Sequence, residues 1–180
     1  MSDMSLGYSD APAPEVRRLS AELYASLKRL ARAQRGRLRA GETLQTTALV
    51  SEAWIRLSRQ HGWKSRDHFL NTAAAAMRQV LVDHARAHLA AKRGAGADDL
   101  PLDEVALYVG VSSSEVLEID LALSKLEGVD RRLARVVECR FFAGYSEAET
   151  ARLLGLSPRT VQRDWLKARA FLYQELESTP

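Results

Sequence analysis

A chain of 180 residues that is 46% hydrophobic and 27% charged carries enough apolar side chains for one medium or two small packed domains, and its composition is not that of a disordered protein. No apolar run reaches the ~18 residues of a membrane span. The opening MSDMSLGYSDAPAPE lacks the basic and apolar sections of a secretory signal. The single cysteine, Cys139, rules out an internal disulfide framework and a cysteine zinc cluster, so a cytoplasmic protein is expected. The net charge of +3 hides an asymmetry: from Glu15 to Arg93, 16 Lys/Arg oppose 6 Asp/Glu, whereas from Glu115 to Pro180, 10 oppose 11. A basic N-terminal half suits a polyanionic partner, or is an Arg-rich solvated surface; charge alone does not separate the two.

Residues 1–14 read as a flexible leader. Val16, Leu19, Leu23, Leu27 and Leu30 then recur at helical spacing, up to the basic connection near Gly36. In TTALVSEAWIRL, from Thr46 to Leu57, the stripe Leu49, Val50, Ala53, Trp54 and Leu57 predicts a second helix, opened by two adjacent threonines and no charge. RQHGWKSRDH breaks the pattern at Gly62. A long helix follows with Phe69, Leu70, Ala73, Ala74, Met77, Val80, Leu81 and Ala85 inward, stopping at Gly94. Residues 94–114 contain four acids and no base and read as a linker, although VALYVGV within it is apolar enough to pack. Ser114 is expected to cap a helix through about Leu126, Asp130 another through Phe142, and Ser146 a third, with Glu149 at the capping-box position. No β-alternation of useful length appears. The expected fold is all-α: two small helical domains, 15–93 and 115–180, joined by a flexible acidic linker, 94–114.

The segment SEAETARLLGLSPRTVQRDWLKARAFL has the spacing of a helix-turn-helix. Ala151 is small enough to let a second helix approach, Gly155 takes the turn where a positive φ is cheap, and Val161 packs the second helix back on the first. Ser157 is placed to cap that helix and Pro158 to occupy its first turn. Such a motif puts its second helix in the major groove. Arg159, Thr160, Gln162 and Arg163 would face base edges, where Arg pairs with guanine and Gln with adenine. Ser157, Lys167 and Arg169 would meet phosphates. The bland alternative is a helical hairpin that binds no DNA.

These residues, with a second block upstream, resemble the extracytoplasmic-function sigma factors of bacterial RNA polymerase over roughly residues 15–177. YSEAETARLLGLSPRTVQRDWLKAR is similar to sigma region 4. ALVSEAWIRL and FLNTAAAAMRQVLVDHARAHLAAKR are similar to region 2, where Arg78-Gln79, Asp83 and Arg86 match the family's Arg-Asn…Asp…Arg pattern. The resemblance implies a protein that binds core polymerase through its clamp helices and flap, reads the minus-thirty-five element with region 4, and opens the minus-ten element with region 2. It implies no catalysis. It places Leu49, Glu52, Trp54 and Arg56 on the polymerase-gripping helix, and Trp63, Lys64, Arg66, His68, Arg78, Gln79 and Arg86 at the minus-ten DNA. Stacking surfaces and cations are what hold unpaired strands. Trp63 can alternatively be a core anchor, Phe69 is expected in the core rather than stacked on a base, and Asp83 can pair with Arg86 or a neighbouring helix. His84 and His88 stand four apart, but no cysteine or carboxylate cluster accompanies them, so neither metal nor cofactor is expected.

The family's acidic quartet, Asp-Ala-Glu-Asp, aligns with Gln45, Thr46, Thr47 and Ala48, and every acid is missing. This is either drift compensated by apolar contacts or the mark of a switch. The chain is most like an acid-poor subgroup held to be activated by Ser/Thr kinases. A phosphate on threonine would bring about −1.5 to −2 charge to a helix N-terminus. Thr47 is the first candidate, then Thr46, then Ser51. A separate anti-sigma factor is a further partner consistent with the resemblance; a membrane is not. Two alternatives remain open: a helix-turn-helix regulator that does not act through polymerase, and a helical adaptor that binds only protein. An enzyme is not expected, for no nucleophile–base pair, phosphate loop or metal spacing is present.

Overall fold

A computed structural model describes residues 17–18, 21, 24–25, 43–59, 64–94 and 111–178, without the side chains of 43–47, 50, 58 and 94. The expected leader, most of the first expected helix, Trp63 and nearly all of the linker lie outside the described residues. Among the described residues every regular element is helical, as the sequence predicts. The elements are α1 (Thr43–Ser58), α2 (Arg66–Gly94), α3 (Ser113–Val129), α4 (Arg131–Val137) running into a π-helical turn (Glu138–Phe142), α5 (Glu147–Leu154) and α6 (Pro158–Glu177).

Helix α2 is the organising element. Its 29 residues span roughly 44 Å at ~1.5 Å per residue. All eight residues expected to face inward are buried, and Val82 joins them. Alanines at 73 and 74 leave little side-chain bulk, so neighbours approach closely. Helix α1 packs on α2 through Leu49, Ala53 and Leu57, with Trp54 tilted against Phe69 at 6.2 Å between ring centroids. Phe69 is therefore a core residue. Helix α2 also contacts α3, the π turn and α5. The buried side chains of 49–85 and most of those of 116–172 form one contiguous cluster.

Local chemistry sets the boundaries. Helix α3 starts from Ser112, not from the expected Ser114. Ser112 has extended backbone (φ −63°, ψ 161°), its Oγ accepts the Glu115 N–H, and the Glu115 carboxylate accepts the Ser112 N–H, a complete capping box. Ser114 has Leu117 at the matching offset and cannot form that box. Asp130 caps α4 as expected, its Oδ1 accepting from the N–H groups of Arg132 and Leu133. Ser146 and Glu149 make the expected box for α5. The π turn, which the sequence does not announce, buries Glu138, Cys139 and Phe142 together. Helix α1 begins at Thr43 rather than at Thr46, so Thr46 and Thr47 lie at or beyond the end of the first turn, where the dipole acts less strongly.

Candidate nucleic-acid interface

The helix-turn-helix is built as its spacing predicts. Gly155 ends α5 at φ 65°, ψ 34°, in the left-handed region. A Cβ there would meet nothing within 4 Å, so the glycine answers a torsional demand and not a steric one. The Leu156 N–H returns to the Ala151 carbonyl at 2.8 Å. Ser157 caps α6 by accepting the Thr160 N–H at 3.1 Å, and Pro158 takes the first turn. Ala151 and Val161 meet Val136 of α4 in a small buried cluster that sets the angle between the two helices.

With Val161 turned inward, Arg159, Gln162 and Arg163 are exposed in the first two turns of α6, and Lys167 and Arg169 are exposed further along it. Thr160 is half-buried, and its hydroxyl pairs with that of Ser157 at 2.9 Å. Ser157 is exposed but already engaged as the cap. Asp164 is a feature of this surface that the sequence reading missed. It lies on the inward stripe with Val161, Ala168 and Leu172 and is fully buried. Its Oδ2 accepts from Arg132 Nε of α4 at 2.8 Å, and Oδ1 lies 3.5 Å from Arg163 Nε. Behind the tip, the Arg140 guanidinium sits 5.7 Å from the centroid of the Trp165 ring.

The candidates on α2 divide into two sets. Lys64, His68, Gln79 and Arg86 are exposed. Arg66 is half-buried, with Nη1 3.8 Å from Asp67, and Arg86 lies 3.7 Å from Asp83. Arg78 is different, with only 13% of its side chain exposed. Nε donates to Asp120 Oδ1 at 2.7 Å; Nη2 donates to Ser124 Oγ at 2.8 Å and the Asp120 carbonyl at 3.2 Å; Nη1 donates to Glu138 Oε1 at 3.3 Å. Burial alone would lower the pKa of this guanidinium, but Asp120 and then Glu138 outweigh it and raise the pKa above the ordinary arginine value. Further ties cross nearby: Asn71 Nδ2 donates to the Leu153 carbonyl, Arg135 to the Asn71 side chain, and the Tyr145 hydroxyl to the Leu70 carbonyl at 2.9 Å.

The α1 candidates also face α2. Leu49 is fully buried and Trp54 half-buried. Arg56 Nη2 bridges Glu52 Oε1 and Asp83 Oδ2, each at 2.8 Å, and Glu52 Oε2 meets His84 Nε2 at 2.6 Å. The His84 hydrogen bond holds the Glu52 carboxyl below its ordinary value, against the opposing effect of burial, with Arg56 adding to the depression. Asp83 thus pairs with both Arg86 and the neighbouring helix, as the sequence reading allows. The outward face of α1 carries Ala48, Ser51 and Ile55, and Arg59 is exposed just past its end. The side chains of Thr46 and Thr47 lie outside the described residues. Among the described residues no group of three His, Cys, Asp or Glu is placed to hold a metal ion, and no helix is long and apolar enough to cross a membrane.

An all-helical chain ending in a helix-turn-helix with a polar, cationic tip defines the class of protein. The particular family follows from a family model described as ECF sigma factor, which matches residues 10–178: the chain belongs to the ECF sigma factor family. It is accordingly a transcription factor that binds RNA polymerase for initiation at promoter DNA, in a family that is not enzymatic. No curated protein and no solved structure matches it.

Proposed function

We propose that this cytoplasmic sigma factor presents the α6 tip to the minus-thirty-five element and the 64–86 surface to the minus-ten element, while α1 meets the polymerase clamp helices. The tip carries this reading. Arg159, Gln162 and Arg163 stand exposed on a helix start held by the Gly155 turn, the Ser157 cap and the Val161 anchor. These side-chain types pair bidentately with guanine and adenine edges. Lys64, His68, Gln79 and Arg86 offer cations and hydrogen-bonding groups to an opened strand.

The arrangement described suits the promoter-free protein. Arg78, a minus-ten candidate, is engaged by carboxylates of α3 and the π turn, which occupy it as a phosphate would. In this reading polymerase and promoter draw the 115–180 helices off α2 and release Arg78. The chain then works as two domains joined by the linker.

Core binding is the step under control. The uncharged Gln45-Thr46-Thr47-Ala48 stretch supports a switch in which a Ser/Thr kinase transfers phosphate to Thr47, or to Thr46 or Ser51, supplying the missing negative charge. A separate anti-sigma factor is compatible with this control. The test is affinity for core polymerase, measured for the untreated chain, for kinase-treated chain and for Thr47→Ala. The expected result is weak binding that strengthens only on treatment, with Thr47→Ala losing most of the gain and the further changes Thr46→Ala and Ser51→Ala losing the rest. Tight binding by the untreated chain, unchanged by Thr47→Ala, sinks the switch and leaves the sigma function standing.

A further inference from the structure

We propose that Arg132 of α4 is a phosphate contact of the minus-thirty-five interface, and that Asp164 is the positioning residue that sets Arg132 and Arg163 for DNA. The inference rests on the reading that the α6 tip faces duplex DNA.

Asp164 is the starting point. It occupies an inward position of α6 between Val161 and Ala168, where an apolar side chain would pack without desolvating a charge. Its side chain is 0% exposed, whereas those of Arg132 and Arg163 are 51% and 60% exposed. The cost of burial therefore falls on the carboxylate, and the two cations remain at the surface. Asp164 Oδ1 has no hydrogen bond of its own, so the site is not arranged to satisfy this carboxylate as fully as it could be.

What the arrangement does achieve is aim. The Arg132 guanidinium is held by a hydrogen bond at Nε at 2.8 Å, and Arg163 Nε lies in ion-pair range of Oδ1 at 3.5 Å without a hydrogen bond. The Nη1 and Nη2 groups carry no partner recorded among the described residues, and that pair of donors is one that can bind a phosphate or a guanine edge. Arg132 is fixed at its backbone as well, where its N–H donates to the Asp130 cap at 2.9 Å. A cation anchored at both ends, on a different helix from the reading tip and beside it, suits a contact that positions the duplex without reading its sequence.

The experiment uses the full chain and two duplexes: one it selects from a random-sequence library, and a scrambled control. Affinity is measured across a fourfold range of salt, with thermal melts alongside. Arg132→Gln should weaken both duplexes equally and reduce the log–log salt slope by about 0.9, so that the fourfold rise in salt costs the variant about 3.5-fold less affinity than it costs wild type. Asp164→Leu, which completes the apolar stripe, should show the same slope loss and relax discrimination at one base position while melting no lower than wild type. Combining it with Arg132→Gln should lower the slope no further. Should Asp164→Leu fail to fold, Asp164→Asn serves instead, with the same slope loss expected. An unchanged slope in Arg132→Gln, or additive slope losses in the double variant, overturns the proposal. Combining Arg159→Ala, Gln162→Ala and Arg163→Ala separates this from the underlying reading: if the triple variant leaves selection between the two duplexes intact, the α6 tip does not read DNA.

Discussion

Replacing Arg78 with methionine keeps most of its methylene packing and removes the charge. The guanidinium is almost enclosed, with 13% of its side chain exposed, beside Asp120 at 16% and Glu138 at 7%. It is thus outside the regime of surface ion pairs, which contribute about 0–1 kcal/mol. Removing one partner of a buried pair costs about 3–5 kcal/mol, because the other charge is left uncompensated. Here the penalty is smaller than that limit. Glu138 keeps Arg135, whose Nη1 donates to it at 2.7 Å, and Asp120 retains partial access to solvent at 16% exposure. A loss of about 2–3 kcal/mol is expected, within the range for breaking a partly compensated buried pair. Urea unfolding of the full chain measures it. The m-value should fall as well if the 115–180 helices come off α2 before the rest unfolds, since less surface is then exposed in the main transition. A change within about 0.5 kcal/mol, the range of ordinary surface substitutions, refutes the view that Arg78 ties α3 and the π turn to α2.

Other consequences are smaller and equally direct. The folded pKa of Glu52 is depressed below its ordinary value, so its stabilising contribution is present above the unfolded value and lost as pH falls through the folded one. Glu52→Gln should cost at most about 1 kcal/mol at pH 7, given its partial exposure, and its melting curve should converge with wild type in acid. Burial pushes the Cys139 thiol up to about 12, so a thiol reagent at neutral pH should modify it only as fast as the protein opens, with the rate rising in urea. Gly155→Ala places a β-carbon at φ 65° with no clash. It should cost about 1 kcal/mol of left-handed backbone strain by thermal denaturation without disturbing the Ala151–Val161 contact.

Much of this was legible because it is local. The inward stripe of α2, the Asp130, Ser146 and Ser157 caps, and the Ala151, Gly155 and Val161 spacing all follow from periodicity and turn chemistry within a few residues. The α3 cap is Ser112 and not the expected Ser114, although the signal was there: Ser112 has glutamate three residues on and Ser114 does not. Asp164 had a readable signal, an acid on the apolar stripe of α6. The partners of Arg78 did not, for Asp120 and Glu138 lie 42 and 60 residues away and nothing local points to them. The same is true of Asn71, whose ties to Leu153 and Arg135 appear only when α2, α4 and α5 come together. The orientation of Glu52, Trp54 and Arg56 toward α2 was not legible, because an apolar stripe on α1 does not say which surface it meets, and Asp83, His84 and Phe69 lie well along the chain.

The most direct measurement is run-off transcription with purified core polymerase on a template carrying a duplex that the chain itself selects upstream of an A·T-rich segment. The kinase-treated chain should direct specific initiation that core polymerase alone does not, and Arg159→Ala combined with Arg163→Ala should abolish it while leaving core binding intact. Repression, or no transcript with either treated or untreated chain despite tight binding to the duplex, would contradict promoter-directed initiation and leave a helix-turn-helix protein that acts without polymerase.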